Sequence, residues 1–201
     1  FGESLAVDLA RRHGTSEDDL RDVRKMIEDK QQKAVAAERH AVLKSKHDRL
    51  ILEGDGKLAA NDNLGALASY NMAMGTLDTE AARKKIQGAR MAMAEVEMKA
   101  GRFDKALEQL LEAAKLVENP KVTAKIQVAR KANEAKRNLE QATDHFRRDD
   151  FDRAEVSLLK AKDTDPGYLT QPIATLATNI KNERKYRMCI ADARKARAMR
   201  A

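Results

Sequence analysis

Cysteine, proline, tryptophan and aromatic residues in general are scarce in this chain, and each scarcity excludes something. A single cysteine, Cys189, among 201 residues leaves no internal disulfide and no cysteine metal cluster. Lack of a disulfide fits a reducing compartment, but many exported helical proteins share it, so it does not fix a location. The three prolines, Pro120, Pro166 and Pro172, leave long stretches without a helix breaker. Tryptophan is absent and aromatics make up 3% of the chain. A β-sandwich draws on more aromatic and β-branched residues and on more turns. No apolar run approaches the roughly 20 residues that a membrane-spanning helix needs. The chain begins at Phe1 without an initiator Met, as expected of a processed or truncated chain.

What is present is helix-forming. Ala, Lys, Arg, Glu, Leu and Met dominate, and these residues lose little side-chain freedom in a helix. Hydrophobic residues at 42% and charged residues at 35% specify a core under a heavily charged surface. The net charge of +7 favours acidic partners, such as nucleic acid, anionic lipid or acidic proteins.

Along the chain, residues 3–13 read as a short helix closed by Gly14. Thr15-Ser16-Glu17-Asp18-Asp19 is a helix start, a hydroxyl cap with acids on the positive end of a helix dipole. That helix has no evident stop before about Gly54. Leu20, Val23, Ile27, Ala34, Ala37 and Ala41 give it a thin apolar stripe that a partner segment should cover. Leu77-Asp78-Thr79-Glu80 and Asn119-Pro120 are further helix starts. The stretch from Asp163 to Pro172 is the least helical and reads as a sharp turn or linker. A very basic helix over 173–200 follows.

The clearest internal signal is a repeat. Gly101-Arg102-Phe103-Asp104-Lys105-Ala106 matches Asp149-Asp150-Phe151-Asp152-Arg153-Ala154, and both continue to a Leu (Leu110, Leu158) and an Ala (Ala113, Ala161). Asn61-Asp62-Asn63-Leu64-Gly65-Ala66, followed by Tyr70 and Ala73, is a weaker copy. In each, a polar turn leads into a helix with small and large residues on one face. The small residue admits a close neighbouring helix and the large one fills the gap beside it.

This pattern resembles the tetratricopeptide repeat. Gly54, Ala66, Tyr70 and Ala73 fit one copy; Ala94, Gly101, Phe103, Ala106, Leu110 and Ala113 a second; Ala142, Phe151, Ala154, Leu158, Ala161 and Pro166 a third. The likeness covers about residues 46–168, between an N-terminal helical segment (1–53) and a basic C-terminal helix (169–201). It implies an all-α helix-hairpin repeat, a solenoid or bundle of about eight helices. Equivalent alanines lie 40 (Ala66 to Ala106) and 48 (Ala106 to Ala154) residues apart, against a usual repeat of ~34. The extra residues fall in the first helix of each pair, so a stack of long hairpins is expected in place of a regular superhelix.

The resemblance also implies a non-enzymatic adaptor that holds a protein partner on the side formed by the first helices. By position that side carries Ile51, Asp55 and Leu58, then Met91, Glu95, Met98 and Lys99, then Leu139, Thr143, Phe146 and Arg147. Its apolar character suits an amphipathic helix of a partner or of another copy of the chain, or the chain's own terminal helices.

Residues able to carry chemistry are sparse, and no cofactor is indicated. His13, His40, His47 and His145 form no metal-binding motif and read as solvent-facing or partly packed. There is no phosphate loop. Cys189 lies near Arg187 and Arg194, but Met188-Cys189-Ile190 reads as a packed helix face. The last helix carries Arg184, Lys185, Arg187, Arg194, Lys195 and Arg197 with Tyr186 as its one aromatic. It is either a solvated, dipole-favourable helix end or a dock for RNA, an anionic membrane or an acidic protein.

Overall fold

A computed structural model describes residues 12, 14 and 16–199. These residues are all-α, with no strand among them. Seven helices are described, one fewer than expected: α1 (Glu17–Ala59), α2 (Asn63–Thr76), α3 (Glu80–Lys99), α4 (Phe103–Ala114), α5 (Pro120–Arg147), α6 (Phe151–Thr164) and α7 (Thr170–Ala198). The short helix expected over 3–13 lies essentially outside the described residues.

The helices start where the sequence indicates. Ser16, Thr79 and Asn119 each cap a helix by accepting a hydrogen bond from a backbone N–H two or three residues on. The end of α1 is a correction. The helix runs through Gly54 and Gly56 to Ala59, because glycine only weakens a helix, whereas the chain leaves it by a left-handed residue at Asn61.

Three long–short hairpins, α1–α2, α3–α4 and α5–α6, are joined by one recurring turn. Asn61, Gly101 and Asp149 take positive φ (61°, 69° and 60°), a conformation that Gly, Asn and Asp adopt most readily. After each, an N–H closes the same six-residue loop: Asp62 to Lys57 O at 2.9 Å, Arg102 to Glu97 O at 2.9 Å, Asp150 to His145 O at 3.0 Å. The weakest copy in sequence thus has the same turn as the other two.

Size complementarity holds each hairpin. Seven residues before the turn stands a small residue and nine after it a large one: Gly54 with Tyr70, Ala94 with Leu110, Ala142 with Leu158. All six are buried. The bulkiest ring meets the glycine, where an added Cβ would lie 2.4 Å from Tyr70 Cε1. Ala66, Ala106 and Ala154, then Ala73, Ala113 and Ala161, are fully buried at matching positions.

Each helix packs on the one before and after it, and three apolar clusters fill the joints. The 28 residues of α5 set the third hairpin apart. Val122, Ile126, Ala129 and Ala132 in its first half pack on α3 and α4, while Leu139, Ala142 and Phe146 in its second half pack on α6 and α7. The third hairpin is therefore displaced along α5, and the α6–α7 turn returns to the start of α4, where Tyr168 meets Phe103 edge-on at 5.8 Å. The expectation of long first helices holds, with 43, 20 and 28 residues against 14, 12 and 14.

Two helical arms project from this body. Every residue of α1 from Glu28 to Lys46 is exposed, and burial begins at His47. His47 Nε2 lies 3.0 Å from Thr79 Oγ1, so the α1 arm leaves beyond the α2–α3 turn. On α7, Arg187 bonds Asp149, so residues 188–199 leave beyond the α5–α6 turn, at the other end of the hairpins.

Candidate functional site

The first helices of successive hairpins are tied by a repeated ion pair. Asp55 on α1 receives Lys85 Nζ of α3 at 2.7 and 2.8 Å. Forty residues on, Glu95 of α3 receives Lys125 Nζ of α5 at 2.6 Å. Both acids lie six residues before the left-handed turn residue, and both lysines immediately precede a buried isoleucine, Ile86 or Ile126. Lys85, then Tyr70, holds the Asp55 carboxyl below its ordinary range, and Lys125 does the same for Glu95. Tyr70 donates to Asp55 Oδ1 at 2.6 Å; burial, and then that carboxylate, push the phenol upward.

At the third junction, between α5 and α7, neither charge is present. Six residues before Asp149 stands Thr143, and immediately before the buried Ile173 stands Pro172. A cleft of about 330 Å³ occupies this place. Thr143 and Pro172 both line it, with Leu139, Leu169, Lys136 and Arg147 around them. Lys136 Nζ donates to Gly101 O at 3.3 Å, closing one end against the α3–α4 turn. Glu140 and Asp144 add acidic edges, so the cleft has an apolar floor under mixed charge. Such a place can seat an amphipathic segment.

The expected protein-binding residues separate into four groups. Leu139, Thr143 and Arg147 line the cleft. Ile51, Leu58, Met91 and Phe146 are half-buried and packed against the clusters beneath them. Met98 is only 5% exposed and belongs to the core beside Phe103, so it offers no surface to a partner. Glu95 is held by Lys125, and Lys99 is exposed at the end of α3. The lining residues Gly101, Lys136, Leu169 and Pro172 were not foreseen.

The basic residues of α7 also divide. Arg184 pairs with Asp152 at 2.6 Å and Glu155 at 3.2 Å on α6. Arg187 pairs with Asp149 and Glu183 and lies 4.8 Å above the Phe151 ring. Lys185, Arg194, Lys195 and Arg197 are exposed. Cys189 corrects the expectation of a packed thiol: it is exposed, because α7 has by then passed the first turn of α6 and has nothing left to pack on.

His40 is exposed, His145 is half-buried and His13 lies outside the described residues. His47 is buried between Asp48 and Thr79, with 3.0 Å to each. Among the described residues no three His, Cys, Asp or Glu side chains come close enough to hold a metal ion, and no helix is long and apolar enough to cross a membrane. Compared with family models, curated proteins and solved structures, the chain matches none.

Proposed function

We propose that this chain is a non-enzymatic scaffold or adaptor of the tetratricopeptide type, which holds an amphipathic helix of a partner, or of another copy of itself, in the cleft between α5 and α7. The observation that carries this reading is the break in the repeat. Two junctions between first helices are closed by a carboxylate–lysine pair, and the third replaces both members with uncharged Thr143 and Pro172 and is open. Three hairpins with one turn geometry and one small–large pairing support the family likeness. On this reading, the spacings of 40 and 48 residues and the displaced third hairpin would make it a divergent member.

Binding would work by burial of the partner's apolar face on Leu139 and Leu169, with Arg147, Lys136, Glu140 and Asp144 selecting complementary charges at the rim. A test should avoid Met91 and Phe146, whose packing against the clusters makes any change there a stability experiment as well. Glu140 and Arg147 are exposed. The double reversal Glu140→Lys with Arg147→Glu is compared with a matched reversal of exposed Glu108 on α4 and Lys115 just after it. Sedimentation velocity reads self-association, and affinity capture with quantitative mass spectrometry reads other partners. Loss of association in the cleft variant alone supports the proposal. Association that survives in the cleft variant, or falls equally in both, overturns it.

A further inference from the structure

The charge of this molecule is concentrated in one place. Residues 181–201 hold eight Lys and Arg against two Asp and Glu, so they carry six of the chain's seven net positive charges. The remaining 180 residues are almost neutral. Arg184 and Arg187 are committed to α6 through Asp149, Asp152 and Glu155, and they fix the direction of the arm. Lys185 stands exposed between them and Arg194, Lys195 and Arg197 beyond them, and no ion pair to these four forms among the described residues.

The distribution around the helix decides what such a charge fits. Lys185 and Arg194 are nine residues apart, two and a half turns, so they point to opposite sides. Met188 and Ile190 also point to nearly opposite sides, and the other nonpolar positions are mostly alanine. A helix that lies on a lipid surface needs one wide apolar face, and this arm has none. Single-stranded nucleic acid is gripped by stacking on several aromatics, and the arm has Tyr186 alone. A straight helix about 10–12 Å across with cations on both sides matches the B-DNA major groove, about 12 Å wide and walled by phosphates. The A-form RNA major groove is too narrow for a helix to enter.

We propose that the C-terminal part of α7, from Lys185 onward, binds double-stranded DNA through its phosphate backbone, without regard to sequence, using Lys185, Arg194, Lys195 and Arg197. The span from Lys185 to Arg197 is about 18 Å along the helix axis, roughly five base pairs. No Asn or Gln lies on α7 beyond Asn182, and Arg194 and Arg197 serve here as phosphate contacts, so the contacts position the chain and carry no sequence preference. This surface is separate from the α5–α7 cleft and does not depend on its occupant.

The experiment is fluorescence anisotropy with two labelled 20-base-pair duplexes of unrelated sequence, from 50 to 200 mM salt. Four phosphate contacts give a log–log salt slope of roughly −3.6, a loss of about 100-fold in affinity across that range. The variant Lys185→Gln, Arg194→Gln, Lys195→Gln, Arg197→Gln is expected to lose binding at 50 mM salt. Its helix content should be retained, since Gln has a helix propensity close to Lys and Arg. A control with Lys105→Gln, Arg153→Gln, Lys160→Gln and Lys162→Gln removes the same charge from exposed sites on α4 and α6 and should bind within a few-fold of wild type. Absence of duplex binding at 50 mM salt, or equal loss in both variants, overturns the proposal. So does tighter binding to single-stranded DNA, to double-stranded RNA or to phosphatidylserine vesicles than to the duplexes.

Discussion

Residues 47–59 and residues 28–46 belong to one unbroken helix, yet the first stretch is locked into the body and every residue of the second is exposed among the described residues. Helix propensity is not what separates them, since the locked stretch holds two glycines, Gly54 and Gly56, and the other holds none. The difference lies in phase and in what stands opposite. From His47 onward, His47, Leu50 and Gly54 fall on one side of α1 and meet α2 and the α2–α3 turn. The stripe of Leu20, Val23, Ile27, Ala34 and Ala41 lies on the other side, because Gly54 follows Ile27 by 27 residues, about seven and a half turns. Leu20 is buried and Val23 and Ile27 half-buried, while Ala34, Ala37 and Ala41 are exposed. The body and the arms should therefore respond to substitution in different ways.

The largest effect is expected deep in the body. Phe103 is fully buried and opens α4 between Met98, Ala106 and the Tyr168 ring. Phe103→Ala leaves a cavity at the point where the second and third hairpins meet. It should cost about 3–5 kcal/mol, read as a lowered denaturation midpoint at unchanged slope. A cost under about 1 kcal/mol would show that this joint contributes little and that the hairpins are held separately.

Two glycines two residues apart on α1 sharpen the comparison by sign. Gly54 faces the Tyr70 ring, and any side chain there displaces the ring or parts the helices. Gly54→Val is expected to destabilise by about 1–3 kcal/mol or more. Gly56 is exposed, with nothing near its absent Cβ. Gly56→Ala should stabilise by about 0.4–1 kcal/mol by restricting the unfolded chain. Thermal melts of the two variants would then shift in opposite directions. Equal shifts would contradict the close contact between α1 and α2.

Tyr70 gives the body a dependence on pH. Its phenol is raised above the ordinary value of about 10 by burial and by the Asp55 carboxylate. A raised folded-state pKa gives stability that is fully present below the unfolded value and is lost as pH climbs above it. Stability should thus fall above roughly pH 10 by up to about 1.4 kcal/mol per pH unit for this one proton. Tyr70→Phe should lower stability at neutral pH by about 1.5–3 kcal/mol, through loss of the hydrogen bond to a charged partner. It should also remove that part of the alkaline slope, as followed by urea titrations at pH 8 and pH 11. An unchanged slope would place the phenol in water.

Much of this was legible in the residues. The turn positions, the caps at Ser16, Thr79 and Asn119, and the buried alanines follow from local chemistry that acts within one or two turns of chain. What was not legible is relational. Cys189 and Met188 look like a packed face, but packing depends on how far α6 reaches, and α6 begins only at Phe151. Met98 looks like a surface anchor by position, but the displaced third hairpin and Phe103 enclose it. The cleft did have a signal in the chain. An acid and a lysine 30 residues apart occur twice, Asp55 with Lys85 and Glu95 with Lys125, and then fail at Thr143 and Pro172, which are 29 residues apart. The meaning of that failure needs the alignment of the lysines on the buried isoleucines, which only the packing of α3 and α5 supplies.

The smallest expected effect is on the α1 arm. Val35 is 47% exposed and Val42 is 64% exposed, both on a helix with no neighbour at that level among the described residues. Val35→Glu with Val42→Glu should change the stability of the body by no more than about 0.5 kcal/mol, since surface changes away from packed features usually stay within that bound. The two sites lie seven residues apart on one face, so the new acids would sit beside Arg39 and Lys46 and be partly compensated. Far-ultraviolet circular dichroism during urea unfolding would follow the body and the arm together, and hydrogen exchange would separate them. Amides of residues 28–46 should exchange by local opening in wild type and variant alike, while those of α2 and α3 remain protected to near the global stability. A double variant that destabilised the body by 2 kcal/mol or more would mean that the arm is covered in solution, and that its two valines belong to the packed part of the molecule.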